Sequence, residues 1–103
     1  MCNISYNIIN TGSDGNAVIL ENSILVDCGV SYKAIEPYIG KLRLVLLTHI
    51  HGDHFNPATI RRLASERPTL RFGAGAWLAR ELVNAGVRKS NIDILTPDNK
   101  YCY

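Results

Sequence analysis

Leu42-Arg43-Leu44-Val45-Leu46-Leu47-Thr48-His49-Ile50-His51-Gly52-Asp53-His54-Phe55 is the stretch on which the reading of this chain turns. Its first six residues are apolar except for Arg43, the pattern of a strand buried on both faces. That strand delivers Thr48 and His49 at its carboxyl end, where ligands gather in α/β sheets. The next residues hold every histidine of the chain, with an aspartate among them.

The spacing favours a metal. His49 and His51 are two apart, so in an extended segment both imidazoles leave the same face and can reach one ion. Gly52 permits a sharp turn. After it, Asp53 and His54 can offer an oxygen and a nitrogen to a second ion from another direction. Imidazole and carboxylate together suit zinc, with manganese or iron as substitutes. The alternative is a polar loop that happens to be rich in histidine.

Working outward, Ile4, Tyr6, Ile8 and Ile9 mark a first strand within Asn3 to Asn10, bounded by the turn cluster Gly12 to Asn16. Ala17 to Leu20 and Ile24 to Asp27 read as a hairpin joined at Glu21-Asn22-Ser23. Ser31 is the expected N-cap of a helix through Tyr32 to Ile39, closed by Gly40. Asn56 and Pro57 open a second helix that carries Ile60, Leu63 and Ala64 and stops before Pro68. Thr69 to Gly73 is a short strand. A third helix opens at Ala74 or Gly75 with Leu78, Leu82 and Val83 on one face and Gly86 at its end; Trp77 is expected in the core. Ile92 to Leu95 is another strand, followed by a turn at Thr96 to Asn99 and a strand opening at Lys100 to Tyr103. Strands alternating with helices predict an α/β fold.

These motifs carry a resemblance. His49-x-His51-x-Asp53-His54 behind an apolar strand resembles the signature of the metallo-β-lactamase superfamily of metal-dependent hydrolases. Ile24-Leu25-Val26-Asp27-Cys28-Gly29 is similar to the strand-end aspartate motif those proteins carry upstream. Thr11-Gly12-Ser13-Asp14-Gly15-Asn16-Ala17 is similar to the Gly-Ser turn of the small bacterial exonuclease-like branch. The matches span Thr11 to Phe55.

The resemblance implies the N-terminal half of an αββα sandwich, a mixed sheet with helices on its outer face. It implies two zinc ions, with His49 and His51 on the first and Asp53 and His54 on the second. Asp53 would be the catalytic residue, orienting a hydroxide that attacks the substrate, a phosphodiester being slightly favoured over a thioester or a lactam. Asp27 would lie behind the ligands and accept hydrogen bonds from the histidine loop. Superfamily members draw a third histidine, a bridging aspartate and a last histidine from a downstream half. No histidine follows His54 in this sequence. The expectation is therefore a truncated domain over residues 1–103 whose own site is incomplete and binds metal weakly, or a site completed by a second copy or partner.

Composition bounds the rest. The 103 residues suit one domain, and 47% apolar with 19% charged residues is the balance of an ordinary globular chain. No apolar run approaches the ~20 residues of a membrane span, and no leader is evident, so no membrane and a cytoplasmic location are expected. The three cysteines, Cys2, Cys28 and Cys102, form no Cys-x-x-Cys pair; reduced thiols are expected, with Cys28 a buried small apolar residue. Seven arginines and lysines from Arg61 to Lys89 give a basic lean read as a solvated helix face, in a chain of net charge +2. Two readings compete with the hydrolase: a non-catalytic half-domain that associates with itself or a partner through an exposed sheet, and a small nucleic-acid-binding module.

Overall fold

The period-two alternation of apolar residues builds one mixed sheet of six strands. The structure, a computed structural model, describes residues 6–10, 15–48 and 55–95. The strands are β1 (Tyr6–Asn10), β2 (Ala17–Leu20), β3 (Ile24–Val26), β4 (Leu44–Leu46), β5 (Arg71–Ala74) and β6 (Ile92–Ile94), and they lie side by side in sequence order. The first three run antiparallel through two connections, and β3 to β6 are all parallel. Glu21 and Asn22 at positive φ, 52° and 56°, make the β2–β3 turn, closed by the Ser23 amide donating to the Leu20 carbonyl at 2.9 Å. Successive left-handed residues are what a tight hairpin turn requires.

Each parallel pair needs a crossover helix. α1 (Tyr32–Ile35) continues as a 3₁₀ turn over Glu36–Lys41, α2 is Pro57–Glu66 and α3 is Ala76–Asn84. The single helix expected over Tyr32 to Ile39 is therefore divided. The change of pitch falls where Pro37, lacking an amide proton, enters the run. Ser31 has extended dihedrals as a cap should, but its side chain makes no capping bond. Asn56 does cap α2, its Oδ1 accepting from the Thr59 amide at 3.2 Å. α3 ends with the Val87 amide donating to Leu82 and the Gly86 amide to Val83, both at 3.0 Å, around a left-handed Gly86.

Each crossover advances the strand order by one place in the same direction, so right-handed connections put all the helices on one face. Across that face Ile19, Leu25, Val45, Phe72 and Ile92 stand opposite one another in register. They pack with Ile35, Ile39, Ile60, Leu63, Leu78 and Leu82 in one core. Each large side chain so buried contributes about 1.5–3 kcal/mol. Leu78 and Leu82, four apart, take the buried side of α3. Trp77 and Val83 point away from it, with Trp77 59% exposed; the expectation of a core tryptophan and of Val83 on the buried face is wrong.

The other sheet face carries Val18, Leu20, Ile24, Val26, Leu44 and Leu46 and has no described helix on it. Leu44 is buried yet stands apart from the helical core; with Leu46 and Leu95 it closes over Gly73. The bidentate Arg71–Asp93 ion pair marks the β5–β6 end of the same face. The fold is thus α/β, with helices on one face of the sheet and aliphatic residues on the other. No helix among the described residues is long and apolar enough to cross a membrane.

Candidate metal centre

Because β3 and β4 are parallel, they end at the same edge of the sheet, and so does the start of the antiparallel β2. Four consecutive residues after β3, Asp27 to Val30, are all buried there, and each holds a different part of the chain.

Asp27 comes first. Its amide donates to the Leu46 carbonyl at 2.8 Å, extending the β3–β4 ladder by one residue. Its φ of 63° then turns the backbone out of the strand, a conformation that aspartate tolerates better than most residues. The carboxylate meets Thr48: Oδ1 accepts from the Thr48 amide at 2.9 Å and from its hydroxyl at 2.8 Å, and Oδ2 lies 3.0 Å from the same hydroxyl. A buried carboxylate needs such donors to offset its lost hydration.

Cys28 pairs with Phe55 in an isolated parallel bridge, and its carbonyl accepts from the Asn56 amide at 2.6 Å. The thiol is fully buried, as a small apolar residue would be. Burial, with the neighbouring Asp27 charge adding to it, pushes its pKa up to about 12, which keeps the thiol protonated at neutral pH. Gly29 donates its amide to the Asn16 carbonyl at 3.0 Å. Gly15, at φ 145°, packs so closely there that a Cβ would fall 2.6 Å from the Gly29 carbonyl oxygen. Val30 offers its carbonyl to the buried Thr59 hydroxyl at 2.7 Å, which ties down the first turn of α2.

These contacts bring together parts of the three stretches singled out in the sequence. The turn is represented by Gly15 and Asn16, the strand-end motif by Asp27 to Gly29, and the histidine stretch by its flanks, Thr48 and Phe55. The flanks are held by adjacent residues, Asp27 and Cys28. The expected ligands His49, His51, Asp53 and His54 lie outside the described residues, as do Thr11 to Asp14. Among the described residues no group of three or more histidine, cysteine, aspartate or glutamate side chains could hold a metal.

The frame fits the expected donor set in one respect. Both Asp27 oxygens are engaged by Thr48, so this carboxylate serves as a fastening for the residue immediately before His49. Thr48 had no assigned role in the sequence. The available signal was a hydroxyl residue placed between a buried strand and the first histidine, next to a strand-end aspartate. Thr59 was missed for want of any local signal, since its partner is 29 residues away.

No protein-family model matches the chain, and no curated protein matches it.

Proposed function

We propose that this chain carries the metal-binding half of a hydrolase of the metallo-β-lactamase type, acting on phosphodiesters. One observation supports the reading above others. The only stretch with a metal-ligand pattern, His49-x-His51-x-Asp53-His54, leaves and rejoins the described structure at Thr48 and Phe55, fastened to neighbouring residues at the carboxyl ends of parallel strands. That is where an open α/β sheet offers a site. The aliphatic face, which carries no described helix, agrees with a sheet that has a second layer to meet.

In this proposal His49 and His51 give ring nitrogens to one cation, and Asp53 and His54 give an oxygen and a nitrogen to another. Zinc is the first choice for this set, manganese or iron the second. The chemistry such cations supply when bound is Lewis-acid activation of water at neutral pH. Asp53 orients the attacking water by accepting its hydrogen bond. Asp27 acts through Thr48, fixing the position from which His49 starts, as residues behind the ligands do in metal sites. Cys28 stays protonated and apart from the chemistry.

A small activated phosphodiester with added zinc or manganese tests this. Slow turnover that depends on the metal and disappears in His51→Ala and Asp53→Ala is the expected result. Turnover unchanged by either substitution would remove the proposal.

The sheet face without a described helix favours a second reading, in which the chain works by association through Ile8 and the half-buried Val18, Val26 and Leu46. Sedimentation velocity distinguishes the two: concentration-dependent association weakened by Val26→Lys supports it, and a monomer at all concentrations does not.

A further inference from the structure

The seven cations from Arg61 to Lys89 do not form one solvated face. Three are committed: Arg62 lies over the Tyr32 ring at 4.0 Å, Arg67 donates to the Ile39 carbonyl, and Arg71 pairs with Asp93. Among the described residues the other four, Arg61, Arg80, Arg88 and Lys89, form no ion pair. All four line cavities beside the connector from α3 to β6. Arg61 and Arg88 border one of about 340 Å³. Arg80 and Lys89, with Asn84, rim a groove of about 560 Å³ whose floor is Val83, Ile92 and Ile94. Glu66 and Glu81, the only carboxylates on α2 and α3, line neither.

A second observation lies on the same helix. Trp77, Arg80 and Asn84 are spaced three and four apart and share one exposed side of α3. The Trp77 indole rests over Gly75, where any Cβ would collide with it. The ring lies beside that glycine and is 59% exposed. From Trp77 to Asn84 the helix rises about 10 Å, the length of roughly three stacked nucleotides. Its Trp77 end lies at the sheet edge where β5 ends, the edge that also carries Asp27 and Thr48, and its Asn84 end lies toward the start of β6.

We propose that this side of α3, with the groove below it, binds single-stranded nucleic acid. The Trp77 ring and the aliphatic floor take base faces, and Arg80 and Lys89 take phosphates, the combination single-strand binders use. This deepens the phosphodiester reading by naming the surface that carries the strand. It rests on that reading for its connection with hydrolysis and is independent of it for binding.

Trp77 is the only tryptophan in the chain, so its own fluorescence reports the event. The titration uses the full chain with EDTA present and an oligothymidylate of about twelve nucleotides. Quenching that weakens with salt is expected. Arg80→Ala with Lys89→Ala should lower the affinity about tenfold and reduce the salt slope by about 1.4. Trp77→Ala, followed by fluorescence anisotropy of a labelled strand, should cost about tenfold, and Trp77→Phe much less. Absence of quenching would overturn the proposal, as would an equal loss from Lys33→Ala with Lys41→Ala, which removes the same charge elsewhere. Equal quenching by polyglutamate would also overturn it, since that polymer has charge and no bases. Because EDTA removes metal, failure here is separate from failure of the hydrolase assay.

Discussion

Asp27 combines three demands in one residue: it continues a ladder, turns the chain at positive φ and fastens Thr48. Substitutions separate these demands. Asp27→Asn keeps an oxygen for Thr48 and a side chain that tolerates the left-handed region, and should cost about 1 kcal/mol. Asp27→Ala leaves the Thr48 amide and hydroxyl without this acceptor and strains the backbone; about 3 kcal/mol is expected, read from urea unfolding. Cys28 gives a pH prediction. Its thiol pKa lies at about 12 in the fold against 9.0 for the unperturbed group, so in this window the folded chain holds the proton that the unfolded chain releases. Stability from this thiol is complete below pH 9 and falls as pH rises toward 12. Denaturation midpoints of the protein and of Cys28→Ala should show the alkaline decline reduced in the variant. With Cys2 and Cys102 replaced by serine, alkylation of Cys28 should track global unfolding.

The elements differ in how far local sequence determines them. The start of α2 was legible because its signals are adjacent: Asn56 caps, Pro57 follows, and Pro68 lies beyond the end. Asn56→Ala should lower stability by about 1 kcal/mol, measured by thermal unfolding. The β2–β3 hairpin was legible for the same reason, and so was β4, whose apolar run leads directly into the histidine stretch. The Tyr32 helix was not, because the apolar spacing of Ile35 and Ile39 continues through a change of pitch. Trp77 was misplaced because a nine-residue helix buries only a narrow stripe, already filled by Leu78 and Leu82. Of the frame around the candidate site, only residue types were legible. That Asp27, Cys28, Gly29 and Val30 would fasten Thr48, Phe55, Asn16 and Thr59 in turn depends on strand order, which no local pattern encodes.

At the scale of the whole molecule the sheet has two unlike faces. One is covered by α1, α2 and α3, and the other carries half-buried aliphatic rows around the buried Leu44, flanked by Ile8, itself 58% exposed. An exposed isoleucine beside half-buried aliphatic rows offers a place for a partner layer or a hydrophobic dye. Anilinonaphthalene sulfonate should fluoresce with the native chain, and Val18→Thr with Leu46→Thr should reduce the signal without lowering helix content. The carboxyl edge of the same sheet collects the strand-end aspartate, the Gly15 turn and both flanks of the histidine stretch, and it is the proposed place of the metal. Calorimetric titration with zinc tests that placement most directly. Micromolar-range binding that weakens by about a hundredfold or more in His49→Ala and His51→Ala, and about tenfold in Asp27→Ala, is the predicted result. Zinc affinity identical in the native chain and both histidine variants would contradict it.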